Sequence, residues 1–303
     1  METEELYTTY KPLLFALAYR MLGSVMDAED IVQEAFVSLE KKPLDHVQHV
    51  KAYLCKIVTN RCIDQLKSAR QRRETYVGPW LPEPFVTDGD ILGSGEDPVR
   101  QYEVKESLST AYLLLLQQLS WTERAVFLLR EALQFDYSEI AEIVGKSSAN
   151  CRQIFHRAKR SISGNANQKV AARGKTTALV EQFITAILNG NVDKLMHVLS
   201  EDATLYTDGG GKVRAARRPI FGSERICRFF TGIVSTIPAN FSYRLCLVNG
   251  GPGIAAYVGG DPFACLSFRF GNGTISDIYI VVNPEKLQHL NDTMGIRSVE
   301  RET

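Results

Sequence analysis

Residues 137–160 read YSEIAEIVGKSSANCRQIFHRAKR, and this stretch decides the fold of the chain's centre. Ala141 is small enough for two helices to approach closely. Gly145 follows four residues later, where a tight turn favours a positive φ. Cys151 and Ile154 then return to the core from a second helix. The outer face of that helix presents Ser148, Asn150, Arg152, Gln153, His156, Arg157 and Lys159. The pattern predicts a helix–turn–helix. Side chains at the start of such a second helix reach base edges in the major groove, and later Arg and Lys meet phosphates. The plainer alternative is a helical hairpin with a solvated basic face. Residues 146–175 hold 8 bases and no acid, which favours a polyanionic partner.

The surrounding charge is also blocked. The whole chain, 303 residues, has a formal net charge of zero. Residues 1–40 carry 8 acids and 2 bases (−6), residues 41–73 carry 9 bases and 2 acids (+7), and residues 74–145 carry 13 acids and 4 bases (−9). Alternation of this size implies separate surfaces with separate partners, two of them polyanions. Hydrophobic residues at 45% and charged residues at 23% are those of a folded domain set. No apolar run approaches the ~18 residues of a membrane span, so no membrane partner is expected. The acidic start, Met1-Glu2-Thr3-Glu4-Glu5, does not fit a secretory leader. The six cysteines (55, 62, 151, 227, 246, 265) form no Cys-x-x-Cys pair. They are expected to be buried hydrophobes in a reducing cytoplasm, with no metal site and no cofactor.

Helices are predicted on both sides of a break. Leu13, Leu14, Leu17, Ala18 and Met21 share a face, and Gly23 stops that helix. Ile31, Val32, Ala35, Phe36 and Leu39 mark a second helix starting near Asp27. A third covers about 50–70. Its Asn60, Arg61, Asp64, Lys67 and Arg70 recur at three- and four-residue spacings along one basic face, with Arg72 and Arg73 beyond. Three prolines in Gly78-Pro79-Trp80-Leu81-Pro82-Glu83-Pro84 forbid a helix there. Residues 74–98 therefore read as a linker with one stiff segment, and helices resume near Val99. Leu108, Ala111, Tyr112, Leu115, Leu116 and Leu119 form one stripe, and Ser120-Trp121-Thr122-Glu123 looks like a helix cap. Residues 166–175 read as a second linker. From 176 the pattern changes: helices at about 176–189, 192–199 and around Ile226–Val234, then alternating strands at Phe241–Leu247, Ile254–Val258, Phe263–Phe270 and Ile275–Val282. Helices followed by a meander of strands imply an α+β domain with a curved sheet.

These residues resemble a known family. Asp27-Ala28-Glu29-Asp30-Ile31-Val32-Gln33-Glu34-Ala35-Phe36 resembles the core-polymerase-binding segment of bacterial sigma factors. Residues 53–73, around Thr59-Asn60-Arg61-Cys62-Ile63-Asp64, resemble the adjoining promoter-melting segment. Residues 119–162, around Glu123-Arg124-Ala125-Val126-Phe127-Leu128-Leu129-Arg130-Glu131 and Tyr137-Ser138-Glu139-Ile140-Ala141, resemble sigma domain 4. Trp80-Leu81-Pro82-Glu83-Pro84, Asp208-Gly209-Gly210-Gly211-Lys212 and Asn283-Pro284-Glu285-Lys286-Leu287 resemble the three signatures of the extracytoplasmic-function subgroup with a fused SnoaL-like extension. The last carries Glu285 where that signature usually has Asp.

The resemblance implies two all-α sigma domains (1–73 and 99–165, the second with the helix–turn–helix) and a C-terminal α+β SnoaL-like cone-fold domain (176–303). It implies core RNA polymerase as partner of Asp27, Glu29, Asp30 and Gln33. It also implies single-stranded −10 DNA at Asn60, Arg61, Asp64, Lys67 and Arg70, and duplex −35 DNA at Ser148, Asn150, Arg152, Gln153, His156, Arg157 and Lys159. The 80–84, 208–212 and 283–287 motifs are then regulatory contacts between the extension and the linker, with Trp80 the expected docking anchor.

Because the cone fold hosts enzymes, His197, Asp202, Asp208, Asp261 and Asp277 are candidate acids and bases, and an unknown small-molecule ligand is a further candidate partner. Fold alone confers neither. Lys212, Arg214, Arg217, Arg218, Arg225 and Arg228 form a basic cluster against Glu224. It reads as a solvated surface, with DNA or the acidic linker as the alternative contact. The rival functions are a SnoaL-type enzyme and a ligand-responsive helix–turn–helix repressor. The acidic segment 27–36 argues against the repressor, which has no use for it.

Overall fold

The computed structural model describes residues 3–40, 49–73, 76–87, 109–163, 173–290 and 297–298. Two compact units divide the chain. Among the described residues the first holds 3–40, 49–73 and 112–163; the second holds 76–87, 109–111, 173–290 and 297–298. Leu108, the acidic stretch 88–98 and most of the linker 166–175 lie outside the described residues.

The first unit is helical. Helix α1 (Thr3–Leu22) runs through Pro12, and Gly23, at φ 70°, ends it with its N–H on Tyr19 O. Ser24 Oγ accepts from Asp27 N, so α2 (Val25–Glu40) starts two residues before the predicted Asp27. Helix α3 (Val50–Arg73) packs on both. Leu14, Ala18, Met21, Ala28, Ala35, Leu54, Val58 and Cys62 are wholly buried among these helices. Next come α4 (Thr110–Gln117), whose first two residues belong to the second unit, α5 (Trp121–Glu131), α6 (Tyr137–Val144) and α7 (Ser148–Ser163). Buried Arg124 of α5 donates to three carbonyls: Nε to Leu116 O at 2.8 Å, Nη2 to Leu119 O at 3.4 Å, and Nη1 to Met21 O. A guanidinium so satisfied is tolerated in a core.

The second unit is α+β. Helices α8 (Arg173–Leu188), α9 (Val192–Val198) and α10 (Ser223–Val234) pack on an eight-stranded sheet. Its strands are β1 (Val86–Thr87), β2 (Leu199–Asp208), β3 (Ile220–Phe221), β4 (Phe241–Val248), β5 (Gly251–Val258), β6 (Asp261–Gly271), β7 (Thr274–Val281) and β8 (Arg297–Ser298). The order is β1-β4-β5-β6-β7-β2-β3, with β8 also on β4. The sheet is more than the predicted meander, because β2 pairs in parallel with β7, the last hairpin strand. Asp202, expected just before a strand, lies inside β2.

Three tight hairpins link β4 to β7, closed by Asn249-Gly250, Gly259-Gly260 and Asn272-Gly273. All six residues have positive φ, between 51° and 94°, the conformation that two-residue hairpin turns require. Register shifts in β2, β5 and β6 bend the sheet. Phe183 of α8 meets Phe230 and Phe268 edge-on, with centroids 5.3 and 5.1 Å away, at the centre of the core.

All six cysteines are buried and unbridged. Burial pushes the Cys55 thiol up to about 12 against the attraction of Lys51, so the thiolate is suppressed.

Candidate functional site

In the first unit, Asp27 is half-buried and Glu29, Asp30 and Gln33 are exposed on α2. On α3, Asn60, Asp64 and Lys67 are exposed; Lys67 Nζ lies 3.0 Å from Asp64, an i,i+3 pair. Arg61 behaves differently. It is half-buried and paired with Glu34, so it joins α3 to α2. Between the two helices lies an open groove of about 380 Å³ lined by Asp27, Asp30, Glu34, Arg61 and Asp64. The backbone at Arg70 is helical, but its side chain, like those of Arg72 and Arg73, lies outside the described residues.

The helix–turn–helix forms as the pattern requires. Asp136 and Glu139 make a capping box at the start of α6, and Gly145 ends it at φ 64°. Ser147 Oγ accepts from Asn150 N and opens α7. Cys151, Ile154, Phe155 and Ala158 point inward. Ser148, Asn150, Arg152, Gln153, His156, Arg157 and Lys159 are all exposed on the other face.

Three of these cations are already engaged by their own unit. Arg157 Nε donates to Glu123 at 2.6 Å, Lys159 Nζ reaches Glu131 at 3.2 Å, and the Arg152 guanidinium lies 5.2 Å from the Tyr137 ring centroid. Sequence periodicity does not reveal these pairs, because each joins different helices. Burial raises the Glu123 carboxyl, but hydrogen bonds from Ser120 and the Arg157 guanidinium outweigh it and leave the group below the usual carboxylate value. A lowered carboxyl contributes stability that is present above its unfolded pKa and lost as pH falls through its folded one. Glu123→Gln is therefore expected to lower the stability of the first unit at neutral pH and to flatten its loss in acid. Melting the full chain carrying Trp80→Phe across the acid range, followed by Trp121 fluorescence, checks this.

In the second unit the three signatures meet. Asp208, at the end of β2, is fully buried. Its carboxylate accepts from four donors: Tyr76 OH at 2.5 Å, Leu81 N at 2.8 Å, Gly210 N at 3.0 Å and Lys286 Nζ at 2.8 Å. Lys286, itself buried, also donates to Leu81 O and lies over the Tyr76 and Trp80 rings at 5.0 and 4.1 Å. Burial, followed by the Asp208 carboxylate it donates to, pushes the Tyr76 hydroxyl well above its ordinary value, so it stays a donor.

Asn283 closes the ring. Its Nδ2 donates to Tyr76 OH, and its Oδ1 accepts from Glu285 N and caps the 3₁₀ turn Pro284–Lys286. Lys212 and Glu285, one from each motif, form an exposed pair at 3.0 Å. Gly210 has φ 58°, and a Cβ there would stand 2.4 Å from Asn283 Nδ2, so no larger residue fits the turn unless Asn283 moves.

Trp80, the expected anchor, is half-buried, and its neighbour Leu81 is 1% exposed and is held by both its N–H and its C=O. Pro82 and Pro84 are buried, Glu83 is half-buried, and His289 Nε2 bonds Pro84 O at 2.7 Å. Tyr76 and His289 carry no sequence signal, since neither stands in a motif.

The candidate acids and bases are not brought together. Asp208 is bonded to the linker segment 76–84, which forms a strap on this unit. Buried Asp277 pairs with Arg269. Asp202 accepts from the Ser200 hydroxyl, His197 Nδ1 bonds Asp193 O, and Asp261 is exposed. A void between α8, α9 and α10 measures about 10 Å³, room for roughly one water. Arg214, Arg217, Arg218 and Arg225 are exposed, and Arg228 pairs with Glu224. Among the described residues there is no cluster of three or more His, Cys, Asp or Glu able to hold a metal, and no helix long and apolar enough to cross a membrane.

Comparison with known proteins assigns these units. Residues 6–73 match sigma-70 region 2, and residues 109–162 match sigma-70 region 4. The chain is 32% identical to the ECF RNA polymerase sigma factor SigJ of Mycobacterium tuberculosis, over 94% of this chain and 93% of that one. It is 28% identical to the probable ECF sigma factor SigI of the same species, over 95% and 96%. The crystal structure of SigJ superposes with a TM-score of 0.72 at 28% identity, covering 95% of this chain and 98% of that one, and therefore extends through the α+β unit as well. Region 2, region 4 and a full-length match of this identity establish that the chain belongs to the extracytoplasmic-function family of RNA polymerase sigma factors.

Proposed function

We propose that the chain works in the cytoplasm as an alternative sigma factor that brings core RNA polymerase to −35/−10 promoters, and that its extension regulates it in cis by gripping the linker. The observation that carries the regulatory part is the buried Asp208–Lys286 pair closed around Leu81. A linker bonded through backbone and side chain to the extension is under that extension's control. Asp27, Glu29, Asp30 and Gln33 meet core polymerase. Asn60, Asp64 and Lys67 meet the single-stranded −10 element, with Arg61 holding α3 on α2 and Arg70 following on the same helix. Ser148, Asn150, Arg152, Gln153 and His156 meet −35 base edges, and Arg157 and Lys159 exchange their intramolecular carboxylates for phosphates. The acid–base candidates are each tied to a structural partner or left on the surface, and neither polymerase binding nor promoter recognition requires catalysis by this chain.

Gel filtration of the chain with core polymerase tests the assignment: comigration is expected, and separate elution contradicts it. For the −35 reader, Arg152→Ala is expected to cost about 1–3 kcal/mol on the cognate duplex and to relax base preference. Lys159→Ala is expected to weaken all sequences alike and flatten the salt dependence. Fluorescence anisotropy over a panel of single-base variants, at two salt concentrations, separates the two outcomes.

A further inference from the structure

The hairpin turns contain an internal comparison. Asn249-Gly250 and Asn272-Gly273 adopt the same left-handed pair of conformations, with φ 52° and 76° in one and 51° and 82° in the other. Turn geometry explains both asparagines equally. Asn272 is exposed, as a turn residue is expected to be. Asn249 is 1% exposed and bonded through its whole amide. Its Oδ1 accepts from Phe85 N at 2.8 Å, and its own N–H donates to Phe85 O at 2.8 Å. It thus acts as one more rung of the ladder in which Val86 pairs with Val248 and Thr87 with Leu247. Its Nδ2 donates to Thr110 Oγ1 at 2.8 Å, and Thr110 bonds Ser267 Oγ of β6 at 2.7 Å. Thr110, at 5% exposure, opens α4. None of this serves the turn, and none of it belongs to the 80–84, 208–212 or 283–287 motifs.

We propose that Asn249 is a positioning residue that latches the chain at two points. One arm seats the downstream end of the linker strap at Phe85, and the other fixes the start of α4 at Thr110. Asp208 holds the strap at Tyr76 and Leu81; Asn249 holds it again after the prolines, and ties the entry to region 4 to the same sheet. The proposal rests on the reading that the extension controls the sigma domains through the linker. Under it, control passes through two latches rather than one, and loosening either has the same sense.

The test uses the full chain with core polymerase on a cognate promoter, together with amide hydrogen exchange. Asn249→Gly keeps a turn of the kind that Gly259-Gly260 already forms and removes both side-chain arms. It is expected to speed exchange at the Phe85 amide about tenfold, the equivalent of one lost hydrogen bond, and to shift promoter-specific transcription in the same direction as Asp208→Asn. Asn272→Gly, the turn control, is expected to leave both readouts as in the parent. Thr110→Val cuts the second arm without touching the hairpin; transcription is expected to shift while Phe85 stays protected. Unchanged Phe85 exchange in Asn249→Gly, or an equal change in Asn272→Gly, overturns the strap arm. Parental transcription in Thr110→Val overturns the second arm. If Asp208→Asn shifts transcription and Asn249→Gly does not, the latch is wrong while control by the extension stands. If neither shifts it, control by the extension itself is wrong.

Discussion

Asp208→Asn is expected to unseat the linker strap and to destabilise the second unit by about 3–5 kcal/mol, the usual cost of leaving one member of a buried ion pair alone. The reason is the donor count. Four hydrogens point at this carboxylate, one of them from Lys286, which is also buried. An amide keeps one acceptor oxygen and turns an N–H₂ toward groups that themselves donate. The buried ammonium loses its counter-charge, and Leu81 loses the acceptor for its N–H. Trp80 reports the change, because it lies under the same ammonium. The chain has only two tryptophans, so Trp121→Phe leaves Trp80 as the sole emitter. A red shift of that emission and a lower melting midpoint are expected together. Adding Lys286→Met is expected to recover part of the loss, because it removes the stranded charge rather than a second favourable contact. Full additivity of the two losses contradicts the pair as described.

The double charge reversal Glu29→Lys and Asp30→Lys is expected to abolish transcription by weakening core-polymerase binding at least about 100-fold, the scale of like-charge juxtaposition at an interface. Both side chains are exposed on α2, and neither has an ion-pair partner among the described residues, so the fold loses little. They stand in the second turn of α2, beyond Asp27 in the first, where the helix N-terminus adds little. Duplex −35 binding, which the proposed function gives to α7, is expected to persist. Co-elution with core polymerase and duplex anisotropy on the same preparation check the two halves. Unimpaired core binding places the polymerase contact elsewhere.

The parts of this architecture that depend on local periodicity are legible in the sequence. Leu14, Ala18 and Met21 repeat at helical spacing and are buried. Gly145 stands where α6 must end and takes the left-handed conformation. The alternating residues of β4 to β7 form the hairpins. Asn-Gly at 249–250 and 272–273 was a readable turn signal that the strand periodicity alone does not use. What periodicity does not carry is pairing between distant segments. β2 joins β7 in parallel across the length of the domain, and nothing local specifies that. Glu123 with Arg157, and Glu34 with Arg61, are chosen by helix packing, so cations that look available on one helix are already engaged. Asp208 reads as an acid in a Gly-rich turn; only the fold brings Tyr76, Leu81 and Lys286 to it. The largest side chain of the strap, Trp80, attracts attention as an anchor. The buried position falls instead to Leu81, whose backbone groups are both bonded, so that the restriction imposed by the neighbouring prolines serves main-chain recognition.

The most direct measurement is promoter-specific transcription by purified core polymerase with the full chain, compared with the Asp208→Asn chain at saturating concentrations of each. With core binding equal, a promoter-specific transcript is expected from the parent and a yield changed at least about fivefold in the variant, the effect of ~1 kcal/mol on a two-state balance. A parent chain that directs no specific transcript, or a variant with the parent's yield and an unseated Trp80, would contradict it.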